Sequence, residues 1–283
     1  MDRFLRWART QFRVIGAIVR KDFTIFLRYP ANAVMSLIEP IMWLMPVYFM
    51  GQGFSVDGKA VGFAALTGTS DYFTFVMVGA LMSSYISAAF WGMGYSVQED
   101  MTLGVLEPNW VSPASRVTLI IGRGMISLLF TTLNGIGVFL LGILVFRMDL
   151  ASVTGNVFSA ILTMLPMLVA LTGMGLGISG LVLRIRRAST AIDISNYAIG
   201  QLSGGAFPVK VLPRPLLAFS LALPTTYAYD AVRGILLGTE TMLPIRQEFA
   251  IMVVSAVLLC AAGYAVFKIS ERRCSQLGHI GAH

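Results

Sequence analysis

The chain has 283 residues, 56% of them hydrophobic and 12% charged, with a mean hydropathy of +0.76 and a net charge of +7. Such proportions exclude an ordinary soluble domain and describe an integral membrane protein, whose positive balance must be read by its placement before it is read as affinity for nucleic acid. Two cysteines, Cys260 in an apolar run and Cys274 in a polar one, give neither a disulfide framework nor metal-ligand spacing, and His279 and His283 fall in a tail expected to be disordered rather than metal-binding.

The first predicted element, residues 1–30, alternates arginines with aromatics instead of holding one apolar core before a cleavage site. It is therefore expected to be retained rather than removed as a leader. Wound at about 100° per residue, Arg6, Arg9, Arg13 and Arg20 fall within roughly 60° of one another, opposite Phe4, Trp7, Phe12, Ile15, Ile18 and Phe26. This predicts an amphipathic helix in the membrane interface, arginines toward anionic head groups or a partner and aromatics in the acyl boundary. Tyr29-Pro30 ends it and turns the chain into the bilayer.

Six stretches then meet the requirement of about 20 mainly apolar residues for a membrane-crossing helix: 31–51, 72–95, 125–146, 157–182, 190–207 and 249–269. None alternates as a barrel strand would, so the fold class expected is all-α. In the first span Glu39 lies about 12 Å of helical rise from the start. Its carboxyl is either a pathway or gating group, or a hydrogen-bonded contact beside a kink at Pro40. Residues 53–60, GFSVDGKA, imitate a phosphate-binding loop. Ala60 replaces the Ser/Thr that would hold magnesium and no strand precedes it, so no ATP site is expected in this chain.

Between the second and third spans the chain reads SVQEDMTLGVLEPNWVSPASR. Ser96 and Glu99 have capping-box spacing, Gly104 relaxes the backbone, Pro108 stops the element and Ser112-Pro113 starts the next helix. The expectation is a short helix over about 96–110, exposing Gln98, Glu99, Asp100 and Glu107 together with Met101, Leu103, Leu106 and Trp110. That mixture suits a docking surface better than a loop.

Small-residue spacing, Gly173-x-x-x-Gly177 in the fourth span and Gly200-x-x-x-Gly204 in the fifth, permits close helix approach within the bundle or between protomers. The 16 methionines are read as lipid-facing or core filler. The fifth span is the shortest and most polar, with Asp193, Asn196 and Gln201. After it, residues 208–238 carry apolar pieces too short to cross and broken by Pro208, Pro213, Pro215 and Pro224, the pattern of re-entrant or interfacial helices. The chain thus divides into an interfacial helix (1–30), a six-helix membrane domain (31–269) and a tail (270–283).

With the N-terminus inside, fifteen basic residues face the cytoplasm: Arg3, Arg6, Arg9, Arg13, Arg20, Lys21, Arg28, Arg116, Arg123, Arg184, Arg186, Arg187, Lys268, Arg272 and Arg273. Lys59, Arg147, Lys210, Arg214, Arg233 and Arg246 fall in outer loops, so both termini are expected in the cytoplasm. The charge marks a membrane surface, and no nucleic-acid partner is expected. No Ser/His/Asp set, paired intramembrane carboxylates or metal cluster is present for catalysis.

The elements QED, MTLGVLE and SPASR after the second span, followed by IIGRG, together with LPTTYAYDAVRG after the fifth, resemble the permeases of type-2 ABC exporters. The family's order is commonly acid-x-x-Gly-Thr-Leu-Glu; here the glycine is displaced to Gly104 and Pro108 is added. The resemblance implies a homodimer of six-helix permeases, each bound by a separate ATPase that carries the ATP and magnesium. It makes Gln98, Glu99, Asp100, Leu103, Gly104, Leu106 and Glu107 the coupling residues, and it places Glu39, Asn196 and Gln201 along the substrate path. Export of an amphipathic drug, lipid or lipid-linked saccharide across a bacterial-type cytoplasmic membrane follows. The rival readings are an ion-coupled secondary transporter, which would need paired carboxylates or inverted repeats, and a non-transporting anchor or sensor subunit.

Overall fold

A computed structural model describes residues 2–54, 61–112, 114–146, 156–185 and 188–276. The phosphate-loop lookalike beyond Phe54, Arg147, Arg186, Arg187, the tail histidines and the side chains of Arg6 and Glu107 lie outside that description. Every regular element among the described residues is helical. The order is α1 (Asp2–Arg28), α2 (Pro30–Phe54), α3 (Val61–Thr67), α4 (Tyr72–Phe90), a π-helical turn (Trp91–Tyr95), α5 (Ser96–Thr102), α6 (Leu106–Val111), α7 (Arg116–Phe146), α8 (Val157–Val182) and α9 (Ala188–Leu202). A 3-10 turn (Val209–Val211), α10 (Arg214–Leu221), α11 (Pro224–Leu237) and α12 (Ile245–Gln276) complete it.

Among the described residues, five helices are long and apolar enough to cross a membrane: α2, α4 with its continuation to Thr102, α7, α8 and α12. The expected fifth span is the shorter α9, whose 15 residues rise about 22 Å against a hydrocarbon core of about 30 Å. It stops at Leu202 rather than running to 207 because Gly204 adopts φ +88° and turns the chain. Only glycine takes up that conformation without a Cβ penalty.

The helix α1 forms as expected and lies along α7. Ile15 and Ile18 face Gly122, and the Phe26 ring stacks on Phe130 with centroids 4.8 Å apart. Arg9, Arg13 and Arg20 stay exposed, as does Phe12. The apolar stripe thus divides between a packed part and an open part.

The tightest contact in the bundle joins α8 to α12. A Cβ added to Gly263 would lie 1.9 Å from the Gly173 carbonyl oxygen, and one added to Gly180 would lie 2.7 Å from the Phe267 Cα. The Gly173-x-x-x-Gly177 spacing is therefore used within the chain, to bring two helix backbones together where dispersion contacts accumulate. Gly200-x-x-x-Gly204 has a different cause, since Gly204 lies beyond the helix. The core between α4, α8, α11 and α12 is filled by Phe90, Met93, Met167, Leu171, Met252 and Phe267, all with no exposed surface.

Gly263→Val is expected to force α8 and α12 apart, destabilising the protein by about 1–3 kcal/mol. Gly16→Ala, where nothing lies within 4 Å of the added atom, is the neutral control. Thermal unfolding of the purified protein, followed by size-exclusion chromatography, measures the difference.

Candidate functional site

The polar stretch after α4 folds differently from its sequence signals. The helix does not restart at Ser96. It runs on from α4 through the π-helical turn, and the buried Ser96 hydroxyl donates to the Met93 carbonyl at 2.7 Å instead of capping a new helix. The capping box expected of Ser96 and Glu99 does not form: with Tyr95 already helical, the N–H groups it would satisfy are paired within the helix. The element ends at Gly104, φ +67°, where Gly104 N–H reaches the Met101 carbonyl at 3.1 Å and Val105 N–H reaches that of Asp100 at 3.0 Å. Pro108 does not stop it either. It sits in the first turn of α6, where a missing N–H leaves no gap.

Arg123 of α7 organises this knuckle. Its guanidinium holds Asp100 at 2.6 Å and Glu99 at 3.3 Å and reaches the Ser96 carbonyl at 3.5 Å, while Asn109 donates to the other Asp100 oxygen at 3.2 Å. Asp100 is thereby an internal anchor rather than a free surface acid, and Glu99 remains half exposed. Gln98 is half-buried. Leu106, expected outward, is buried at 3% exposure, and Met101 and Trp110 pack on the core. The apolar groups that do face outward are Leu103, Val105 and Val111, the last at 86% exposure.

Two further ties brace the knuckle. Ser115 N–H donates to the buried Gln11 side chain of α1 at 3.0 Å. Arg116 stacks over Trp110 at 4.5 Å and pairs with Glu271 of α12 at 2.5 Å, and Glu271 also holds Lys268 at 2.8 Å. The basic residue in IIGRG was the sequence signal for the central anchor. Its partners were beyond reach because they lie 23 and 24 residues away.

A second feature is a cleft of about 520 Å³ bounded by α2, α4, α7 and the end of α9. Glu39 and Gln201 both line it. Asn196 joins them indirectly, accepting at 3.1 Å from Ser87, itself a wall residue. Residues from three separate spans thus meet in one place. Across the cleft, Ser36 of α2 donates to Asn134 of α7 at 3.1 Å, and Ser83 of α4 shares a 2.7 Å hydrogen bond with the buried Tyr229 hydroxyl of α11.

Beneath Tyr229 lies the group that sequence reasoning missed. Arg233, counted with the outer-loop cations, is 4% exposed. Its Nη1 and Nη2 donate to the carbonyls of Gly204 and Gly205 at 2.6 and 2.7 Å, and its guanidinium lies 3.6 Å from the Phe75 ring centroid. Gly79 makes room, because a Cβ there would sit 1.9 Å from the Gly205 oxygen and 2.2 Å from Arg233 Nη2. Among the described residues no group of three His, Cys, Asp or Glu side chains is placed to hold a metal ion.

Arg233→Met should destabilise the fold by on the order of 3 kcal/mol, because it leaves buried carbonyls without donors. Arg233→Lys should recover part of this, since one ammonium replaces the two-pronged donor. Thermal melting of the two variants beside the parent protein measures both.

A protein-family model described as ABC-2 type transporter matches residues 13–237, from within α1 to the end of α11. No curated protein matches the chain.

Proposed function

The chain belongs to the ABC-2 type transporter family, making it the membrane permease component of an ABC transporter and not itself an ATPase, and from that premise we propose that it exports an amphipathic substrate under power from a separate ATPase subunit. In this reading two copies form the path, and each knuckle docks on an ATPase that carries the ATP and magnesium. Both termini face the cytoplasm of a bacterial-type cell, α1 lies in the inner interface with its exposed arginines toward lipid head groups, and α9 with the re-entrant α10 and α11 completes a sixth crossing. The cargo is a drug, a lipid or a lipid-linked saccharide.

The observation that carries this reading is the bracing of the knuckle. A surface that receives work must not deform locally, and α5–α6 is cross-linked by Arg123 to α7, by Ser115 to α1, and through Arg116 and Glu271 to α12. A push on Leu103, Val105 and Val111 would therefore move several helices as one body, the rigid-body class of transition in which ATP favours one arrangement over another. Continuity of α4 through the π-helical turn links that motion to Ser83, Ser84 and Ser87 on the cleft wall. The long exposed apolar side chains of α2, among them Met35, Met42 and Phe49, supply surface for lipid or for the second copy.

Leu103→Asp with Val111→Asp should abolish co-purification of the ATPase and ATP-dependent export while leaving the permease melting temperature unchanged. Leu106→Asp should unfold it. Glu99→Lys should weaken coupling, and Asp100→Lys should both weaken coupling and destabilise. Unaltered export in the double variant would overturn the docking assignment. Accessibility tags at both termini should read inside and one in residues 53–60 outside; an external C-terminus would overturn the six-crossing arrangement.

A further inference from the structure

We propose that the cleft selects amphipathic organic cations, with Glu39 as the counter-charge and Trp43 as the aromatic wall. The inference rests on the reading of the cleft as cargo path and narrows its three cargo classes to one. Its volume of about 520 Å³ falls inside the range of about 300–1,000 Å³ typical of drug-sized ligands.

The charge of the lining is one-sided. Glu39 is the single acid among the lining residues, and no Lys, Arg or His accompanies it. Its side chain is exposed to the cleft, with no hydrogen-bond or ion-pair partner among the described residues. A carboxylate at such depth in a membrane helix is stable only when something answers its charge, and none of the described residues does so.

Two hydroxyls of the wall lean the same way. Ser84 donates its hydroxyl proton to the Leu81 carbonyl at 2.6 Å, and Ser87 donates to Asn196 and to the Ser83 carbonyl. Their protons are spent inside the protein, so these two groups offer a ligand lone pairs, and the donors the wall carries beside them, the side-chain amides of Asn134 and Gln201 and the Thr131 hydroxyl, are neutral. An ammonium or protonated amine meets the Glu39 carboxylate and these lone pairs, whereas a phosphate or pyrophosphate would meet the same carboxylate and no cation. An anionic lipid or a phosphate-linked saccharide would thus be desolvated without a cationic partner.

Trp43 completes the pair. It lies four residues after Glu39, one helical turn along the same face of α2, lines the same cleft and is 69% exposed. An indole face one turn from a carboxylate is the combination that attracts a delocalised cation, by its quadrupole as well as by charge. The apolar remainder of the wall, Leu44, Val76 and Met77 among it, receives the hydrophobic body.

The test uses the full chain in nanodiscs of zwitterionic lipid, with protein-free nanodiscs subtracted. The probes are tetraphenylphosphonium and tetraphenylborate, which share size and shape and differ in the sign of charge. Saturable binding of the cation, with the anion failing to compete, is expected. Glu39→Gln should weaken cation binding at least tenfold, Glu39→Asp should keep most of it, and Trp43→Ala should weaken it about threefold, with α2 intact by thermal melting. Equal binding of both probes, preference for the anion, no saturable binding, or parental affinity in Glu39→Gln would overturn the proposal. If Glu39→Gln fails to fold, the probe pair on the parent chain and Trp43→Ala decide the matter. Loss of this selectivity with ATPase docking intact would refute the cation assignment alone, and loss of docking with selectivity intact would refute the permease reading alone.

Discussion

Backbone carbonyls cannot be left unpaired in an apolar interior, and this constraint shapes the middle of the molecule. The helix α9 ends after 15 residues and turns on Gly204, which frees carbonyls where neither helix nor solvent can satisfy them. Arg233 answers with two donors from α11, a helix too short to cross and therefore able to bring a guanidinium into the bundle from its end. Three neighbours are adjusted to it: Gly79 vacates space, Phe75 offers its ring face, and Tyr229 lies alongside with its hydroxyl on Ser83. The floor of the cleft, including Gly205 and Ala206, exists because the chain breaks there. Helix break, buried arginine and cleft are one structural solution.

A second guanidinium does equivalent work at the other end. Arg123 gathers Glu99, Asp100 and the Ser96 carbonyl, so the knuckle is held by charge-assisted bonds to α7 and not by its own short helices, which would be marginal alone. Both anchors act on the same rod. The helix that begins at Tyr72 carries Phe75 and Gly79 at one end, the serines of the cleft wall in its middle and Glu99 and Asp100 beyond the π-helical turn. That turn, with Met93 and Gly94 buried at its centre, lies between cleft and knuckle, the position where π-helical turns often mark functional adjustment.

Periodicity and length made most of this legible in the sequence. The all-helical class, the helical course of α1 and the prolines that fragment the segment after α9 were readable, because each depends on local pattern. What escaped was decided by tertiary contact. Ser96 and Glu99 have the spacing of a cap, yet an upstream helix that does not stop leaves nothing to cap. Leu106 has no local mark of burial, and only the fold of α5 back over α6 turns it inward while Leu103 faces out. Arg233 has the charge expected of a loop residue, and nothing local marks its burial because the carbonyls it serves lie 28 and 29 positions earlier.

The displaced glycine and the added proline determine what the knuckle presents. Gly104 has nothing within 4 Å of where a Cβ would lie, so it is required for its left-handed conformation and not for space. Placed after Leu103 rather than before Thr102, it lets α5 finish two residues past its acids, leaving Glu99 and Asp100 facing Arg123 and putting Leu103 at the apex. Pro108 then stiffens the first turn of α6, and the Asn109 bond to Asp100 fixes that turn against α5. The acids of the motif are thus partly consumed in holding the apex, and the apolar groups Leu103, Val105 and Val111 remain to recognise what docks. A partner for this surface would need an apolar groove more than a basic patch, a stricter requirement than the acidic run alone implies.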